Sequence, residues 1–224
     1  MTIAIAARCV DTGMFGIAIS SSSPAVAARC AHARAGVGVV ATQNITDPRL
    51  GPAGLDLMAK GVGAEEAIAI LCRTVPHIEF RQLIAVDGRG RTAAYSGRHT
   101  LGVHASAQAS DVVAAGNLLR GTEIPDAMLA GFQRASGHLG DRLLAAMSAG
   151  LAAGGEAGPV HSAGMLLVRE VPWPVADLRV DWSDGDPVAD LHRVWAIYKP
   201  QLEDYVTRAL NPTTAPRFGV PGDR

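Results

Sequence analysis

The order of strand-like and helical stretches constrains this chain most. Short apolar runs come in pairs joined by turn residues, and pairs of helical segments interrupt them. Thr2 to Cys9 is β-compatible, Asp11-Thr12-Gly13 is a turn signal, and Phe15 to Ser20 alternates apolar with small residues. That pattern predicts an antiparallel hairpin. Gly36 to Gln43 reads as another strand, whose glycines admit close backbone approach. Asp47-Pro48 marks a helix start, with Asp47 as cap, and Gly61 ends that helix. Ala64 to Thr74 predicts a second helix, with Ile68, Leu71 and Val75 at helical spacing. Gln82 to Val86 and Thr92 to Ser96 flank the turn Asp87-Gly88-Arg89-Gly90, and short strands follow at Val103 to Gln108 and Val112 to Gly116. Two helices are expected over Pro125 to Ala135 and Leu139 to Ala153, then strands over Ser162 to Val168 and Leu178 to Val180. A last helix begins at Asp186-Pro187, presents Val188, Leu191, Val194, Trp195 and Tyr198 on one face, and is broken at Pro200. Ser21 to Ala35 stays open between helix and extended chain. Hairpins punctuated by helix pairs predict an α+β layered domain rather than a doubly wound parallel sheet. That domain is expected over residues 1–210, with an irregular tail over 211–224.

Composition narrows how the layers pack. The chain of 224 residues holds 39 alanines, 25 glycines and only ten aromatic residues, so its interior is built from small, closely packed side chains. A net charge of −1 offers no global basic field, which argues against nucleic-acid and anionic-membrane partners. No apolar run reaches the ~20 residues of a spanning helix. The N-terminus does not read as a signal peptide, and three scattered cysteines, Cys9, Cys30 and Cys72, form no disulfide framework. The expected compartment is the cytoplasm. Of the 20 basic residues only Lys60 and Lys199 are lysines.

Few residues offer chemistry. Thr2 follows Met1 directly and opens the first strand. Removal of Met1 would give one residue both a hydroxyl nucleophile and an α-amine of unperturbed pKa about 7.7–8.0, able to act as base. Thr is equally a good first residue for a strand, and both readings stand. Asn44 and Asn117 lie at strand ends, where a side-chain amide can serve either as an oxyanion donor or in a turn. Ser20 to Ser23 reads as a polar pocket wall or as a strand running into a turn. Neither the scattered histidines nor the Asp177 to Asp190 stretch has metal-ligand spacing, so no metal and no cofactor are expected. A cysteine enzyme using Cys9 or Cys30 lacks a locally paired histidine.

Several segments together resemble a known family. They are Met-Thr-Ile-Ala-Ile-Ala-Ala-Arg at the start, Phe15-Gly16-Ile17-Ala18-Ile19, and Arg34 through Gln43. Gly51-Pro52-Ala53-Gly54-Leu55, Gln82 to Asp87, Ala115-Gly116-Asn117-Leu118-Leu119 and Ser162-Ala163-Gly164 complete the set. In order and spacing they resemble the bacterial family called domain of unknown function 1028, grouped with the N-terminal nucleophile (Ntn) hydrolases. The resemblance runs from residue 2 to about residue 198. It implies a four-layer αββα sandwich with the N-terminal strand at its centre and Thr2 in the nucleophile position. It also implies cleavage of an amide-type C–N bond through an acyl-enzyme. Proteasome-like relatives use a lysine near the nucleophile, and none precedes Lys60 here.

The expectations are therefore an amidohydrolase of a small, polar metabolite, with Thr2 as nucleophile and base and Asn117 stabilising the oxyanion. Ser21, Asn44 and Ser162 are expected to line the pocket. The alternative is a non-catalytic member of the same fold that binds a small molecule or a partner subunit. The apolar C-terminal helix predicts a homodimer.

Overall fold

The computed structural model describes residues 1–218. It is a four-layer αββα sandwich built on two antiparallel sheets. The larger sheet has six strands in the order β10-β9-β2-β1-β8-β7. These are β1 (Thr2–Arg8), β2 (Phe15–Ser21), β7 (Ala105–Ala109), β8 (Val112–Asn117), β9 (Ser162–Val168) and β10 (Ala176–Val180). The smaller sheet is β3-β4-β5-β6, formed by β3 (Ala31–Arg34), β4 (Gly38–Asn44), β5 (Arg81–Asp87) and β6 (Thr92–Ser96). The helices α2 (Leu50–Ala59) and α3 (Ala64–Thr74) cover the smaller sheet. The outer face of the larger sheet carries α4 (Ile124–Arg134), α5 (Leu139–Ala152) and α6 (Pro187–Tyr198). The N-terminal strand thus runs through the middle of the molecule, as the resemblance implies.

Burial on both faces explains why β1 is apolar from Ile3 to Ala7 instead of alternating with polar residues. Ile3, Ile5 and Ala7 join the core under α4 and α5, whereas Ala4 and Ala6 point between the sheets with Ile17, Ile19, Val39, Ala41 and Ile84. Small side chains from β1 let the sheets close on one another. The same economy brings α4 and α5 together. A Cβ on Gly131 would stand 2.6 Å from Ala149 Cβ and 3.1 Å from the Ala145 carbonyl oxygen.

Local signals are mostly realised. Asp186 caps α6 by accepting the N–H groups of Val188 (2.9 Å) and Ala189 (3.0 Å). Pro200 sits in a 3₁₀ turn, Lys199–Gln201, that ends α6 before the chain resumes as α7 (Leu202–Leu210). The open stretch Ser21 to Ala35 uses both alternatives: α1 (Val26–Cys30) is followed by β3. Asp47 does not cap α2 directly. Its carboxylate accepts the Arg49 N–H (3.1 Å), closing a turn just before the helix begins at Leu50.

The apolar face of α6 is largely spent within the chain. Val188, Leu191 and Trp195 are buried, while Val194, Ile197 and Leu210 remain exposed. Residues 211–218 carry no helix or strand, and residues 219–224 of the expected tail lie outside the described residues. No helix among the described residues is long and apolar enough to cross a membrane.

Candidate functional site

Strand register assembles the site. Thr2 pairs with Ser21 on β2 and with Asn117 on β8, and Ser21 pairs with Ser162 on β9. Register partners share a face, so these four polar side chains form a row across the sheet on its inner side. Each is buried. Four of the five expected site residues thus meet in one row, and Asn44 approaches from the facing sheet.

The hydroxyls of Thr2 and Ser21 converge on one acceptor. Thr2 Oγ1 donates to the Met1 carbonyl oxygen at 2.6 Å, and Ser21 Oγ donates to the same oxygen at 2.5 Å. The two hydroxyl oxygens are 3.3 Å apart. With both protons directed at Met1, Ser21 Oγ accepts from the Ser23 N–H (3.2 Å) and lies 3.0 Å from Ser23 Oγ. A cavity of about 350 Å³ opens in front of this group, lined by Met1, Thr2, Ser21, Ser23, Arg29 and Asn44, with Val26, Cys30 and Thr46 completing the wall. A larger cavity, about 590 Å³, lies near Val168, Arg34 and Trp173. It is at the other end of the strands, because Val168 pairs with Phe15 whereas Ser162 pairs with Ser21. It contains none of the candidate nucleophiles.

Asn117 is fixed by amides that sequence reasoning did not single out. Its Nδ2 donates to Gln82 Oε1 (3.1 Å), which also accepts from Gln43 Nε2 (2.8 Å). Gln82 Nε2 in turn donates to Ser96 Oγ and the Gly116 carbonyl, both at 3.0 Å. Gln43 and Gln82 are register partners on β4 and β5. This buried network crosses from one sheet to the other and leaves one Asn117 amide hydrogen uncommitted to it. Gly116 permits the approach of β8 to β1, since a Cβ there would meet Ile3 Cγ2 at 2.9 Å.

Asn44 and Ser162 act mainly as braces. Asn44 adopts φ 73°, donates from Nδ2 to the Phe80 carbonyl (2.6 Å) and accepts the Leu101 N–H on Oδ1 (3.2 Å). It borders the cavity while tying two loops to the end of β4. Ser162 Oγ donates to the Ser23 carbonyl (2.6 Å) and accepts the Val26 N–H (3.2 Å). It lies behind the wall and holds the loop that forms it.

Glu156 is the largest omission from the sequence reading. It bridges to Leu119 just beyond β8 and is 3% exposed. Its Oε1 accepts from Ser20 Oγ at 3.4 Å, while Oε2 is buried without a partner among the described residues. Ser20 alternates with Ser21 along β2, so the carboxyl lies on the opposite face of the sheet from the Thr2 hydroxyl. Burial pushes this carboxyl up to about 8, opposed by the positive chain terminus, the Ser22 N–H, the Ser20 hydroxyl and the Ile3 N–H. The Met1 amine and the Ile3 N–H belong to the two residues that flank Thr2 in the chain. A single Glu beside a glycine turn gave no sequence signal for this placement.

Cys30 lines the same cavity, but burial pushes its thiol up, against the effects of Thr46 and Arg29, so the thiolate is disfavoured. Among the described residues no group of three or more His, Cys, Asp or Glu could hold a metal ion.

Residues 2–191 match a family of unknown function, DUF1028. A DUF1028 protein from Silicibacter pomeroyi, known from a crystal structure, is 27% identical with a TM-score of 0.83 over 92% of this chain and 91% of that one. Eukaryotic HslV from Trypanosoma brucei superposes with a TM-score of 0.45 at 14% identity, covering 76% of this chain and 100% of that one. Anbu (ancestral beta-subunit) from Yersinia bercovieri gives 0.39 at 12% identity, covering 92% and 97%. No curated protein matches.

Proposed function

The chain belongs to the DUF1028 family, and on that premise we propose that it is an Ntn-type amidohydrolase cleaving a C–N bond of a small metabolite. One observation carries the reading: Thr2 opens the central strand inside a cavity and shares its register row with Ser21 and Asn117.

In this reading Met1 is removed and Thr2 carries a free α-amine. The amine takes the Thr2 hydroxyl proton, directly or through water, as Oγ1 attacks the scissile carbonyl carbon. The uncommitted Asn117 amide hydrogen and the Ser21 hydroxyl stabilise the resulting oxyanion. The protonated amine then gives its proton to the leaving nitrogen, and an ester to Thr2 remains. Water, deprotonated by the same amine, hydrolyses that ester. Asn44 and Ser162 shape the pocket through the loops they hold.

Glu156 cannot supply the positive charge of the missing lysine, but its protonation state bears on the amine. A carboxylate beside the amine would hold it as an ammonium ion and remove the base. A neutral carboxyl does not, and with Met1 in place burial holds the Glu156 carboxyl protonated up to about 8. In this reading a neutral carboxyl behind the strand leaves the amine its free-base form.

The test is a screen of small amides for amine or ammonia release, run beside Thr2→Ala. Loss of all turnover in Thr2→Ala with an unchanged unfolding transition supports the reading, and residual turnover refutes it. A cytoplasmic homodimer, paired through the exposed Val194, Ile197 and Leu210, completes the proposal. A sedimentation mass of one chain at all concentrations would remove the dimer without touching the chemistry.

A further inference from the structure

The electrostatics of the Thr2 cavity are one-sided. Among the described residues that line it, Arg29 is the one with a charged side chain. Several other arginines face carboxylates: Arg8 meets Asp111, Arg34 meets Asp56, Arg91 meets Asp87 and Arg179 meets Asp177, whereas Arg81, like Arg29, donates to a backbone carbonyl. Among the described residues Arg29 meets only uncharged oxygens. Its Nη1 donates to the carbonyls of Pro24 and Ala25 (3.1 Å), and its Nη2 donates to Ser23 Oγ (2.8 Å). Its Nε–H has no hydrogen-bond partner among the described residues.

The guanidinium is also held in place. Ser162 fixes the Ser23 carbonyl, and the Ala25 N–H donates to the Asp181 carbonyl at 2.9 Å, so the loop beneath Arg29 is anchored at both ends. A cation oriented beforehand loses little rotamer freedom when a ligand arrives. From Arg29 a line of contacts runs through Ser23 and Ser21 to the nucleophile, at 2.8, 3.0 and 3.3 Å. An anionic group on Arg29 would therefore lie within a few covalent bonds of a carbonyl presented to Thr2.

We propose that Arg29 is a substrate-specificity residue and that the cavity takes small amides bearing a carboxylate a few bonds from the scissile C–N bond. The planar guanidinium matches a carboxylate in charge and shape, and the described residues of the cavity wall include no competing acid. The carboxylate orients the substrate, while Thr2 and its neighbours act on the amide. This inference rests on the amidohydrolase reading for the site, but its test does not require turnover.

Binding of N-acetylglycine and of uncharged N-acetylglycinamide is measured calorimetrically on Thr2→Ala and on Thr2→Ala with Arg29→Met. N-acetylglycine is expected to bind Thr2→Ala at least ~10-fold more tightly than the uncharged analogue. Arg29→Met is expected to bring the two within about twofold of each other, and Arg29→Lys to keep part of the preference. Equal affinity for both probes in Thr2→Ala, no saturable binding of N-acetylglycine, or an undiminished preference in Arg29→Met overturns the proposal. If Arg29→Met does not fold, the preference is followed on Thr2→Ala from about 20 to about 500 mM NaCl, where it should shrink and where constancy overturns it. Failure of the nucleophile assignment shows separately, as hydrolysis that persists in Thr2→Ala.

Discussion

Thr2 and Ser21 stand opposite one another on neighbouring strands, their hydroxyl oxygens 3.3 Å apart, and both donate to the carbonyl oxygen of Met1. Two hydroxyls converging on a single carbonyl oxygen show what the end of this row can grip. Ser21→Ala removes the second donor. We expect it to lower kcat by ~10- to 1,000-fold, with a smaller change in KM, as loss of an oxyanion donor does. An unchanged kcat would restrict Ser21 to holding the Ser23 loop.

Asn117 gains its orientation from Gln82. Gln82→Ala strips partners from Asn117 Nδ2, Gln43 Nε2 and the Gly116 carbonyl at once. Buried groups left unsatisfied cost ~1–3 kcal/mol each, so chemical denaturation should show a loss of at least about 2 kcal/mol. Gln82→Glu keeps the shape but, as a carboxylate, cannot donate to Ser96 or to the Gly116 carbonyl, so it should also be less stable than wild type. Wild-type stability in Gln82→Ala would mean that the inter-sheet network contributes nothing to the fold.

The stability of the protein should depend on Glu156 through pH. In the unfolded chain the carboxyl ionises near its ordinary value, whereas in the fold burial holds it protonated up to about 8. The folded state therefore binds the extra proton in between. The contribution is complete below the unfolded value and is lost as pH rises through about 8. Its size is on the order of a few kcal/mol. Glu156→Gln should be close to wild type in Tm at acid pH and more stable than wild type at alkaline pH. Parallel Tm–pH curves for the two proteins would refute this origin.

Packing between α4 and α5 should be unforgiving at Gly131. A side chain there must displace Ala149 or the Ala145 carbonyl. Gly131→Val is expected to cost ~1–3 kcal/mol or more by overpacking. Denaturation with no loss would show that the helices can separate freely.

Much of the fold was legible because local chemistry and tertiary structure agree. The turn Asp11-Thr12-Gly13 between two apolar runs gives the first hairpin, and Asp186-Pro187 begins α6 as its side chain dictates. Ser21 to Ala35 was not legible, because its alanines tolerate helix and strand equally and the outcome is one of each. The Asp47 carboxylate bonds locally to Arg49, and that turn delays the helix to Leu50.

The site divides in the same way. Thr2 and Asn117 each stood out by position, at a chain start and a strand end. Their adjacency comes from the pairing of β1 with β8, which is far away in sequence. Gln43, Gln82, Arg29 and Glu156 gain meaning only once two sheets and a loop have closed around the end of β1. A lone Gln or Glu carries no local pattern that announces such a meeting.

The most direct measurement is the intact mass of the purified protein, before and after exposure to an acyl donor. Thr2 as nucleophile predicts a chain lighter by one methionine residue, acylated once, with the acyl group on Thr2 and no labelling in Thr2→Ala. A protein that retains Met1, or that is acylated equally in Thr2→Ala, would contradict it.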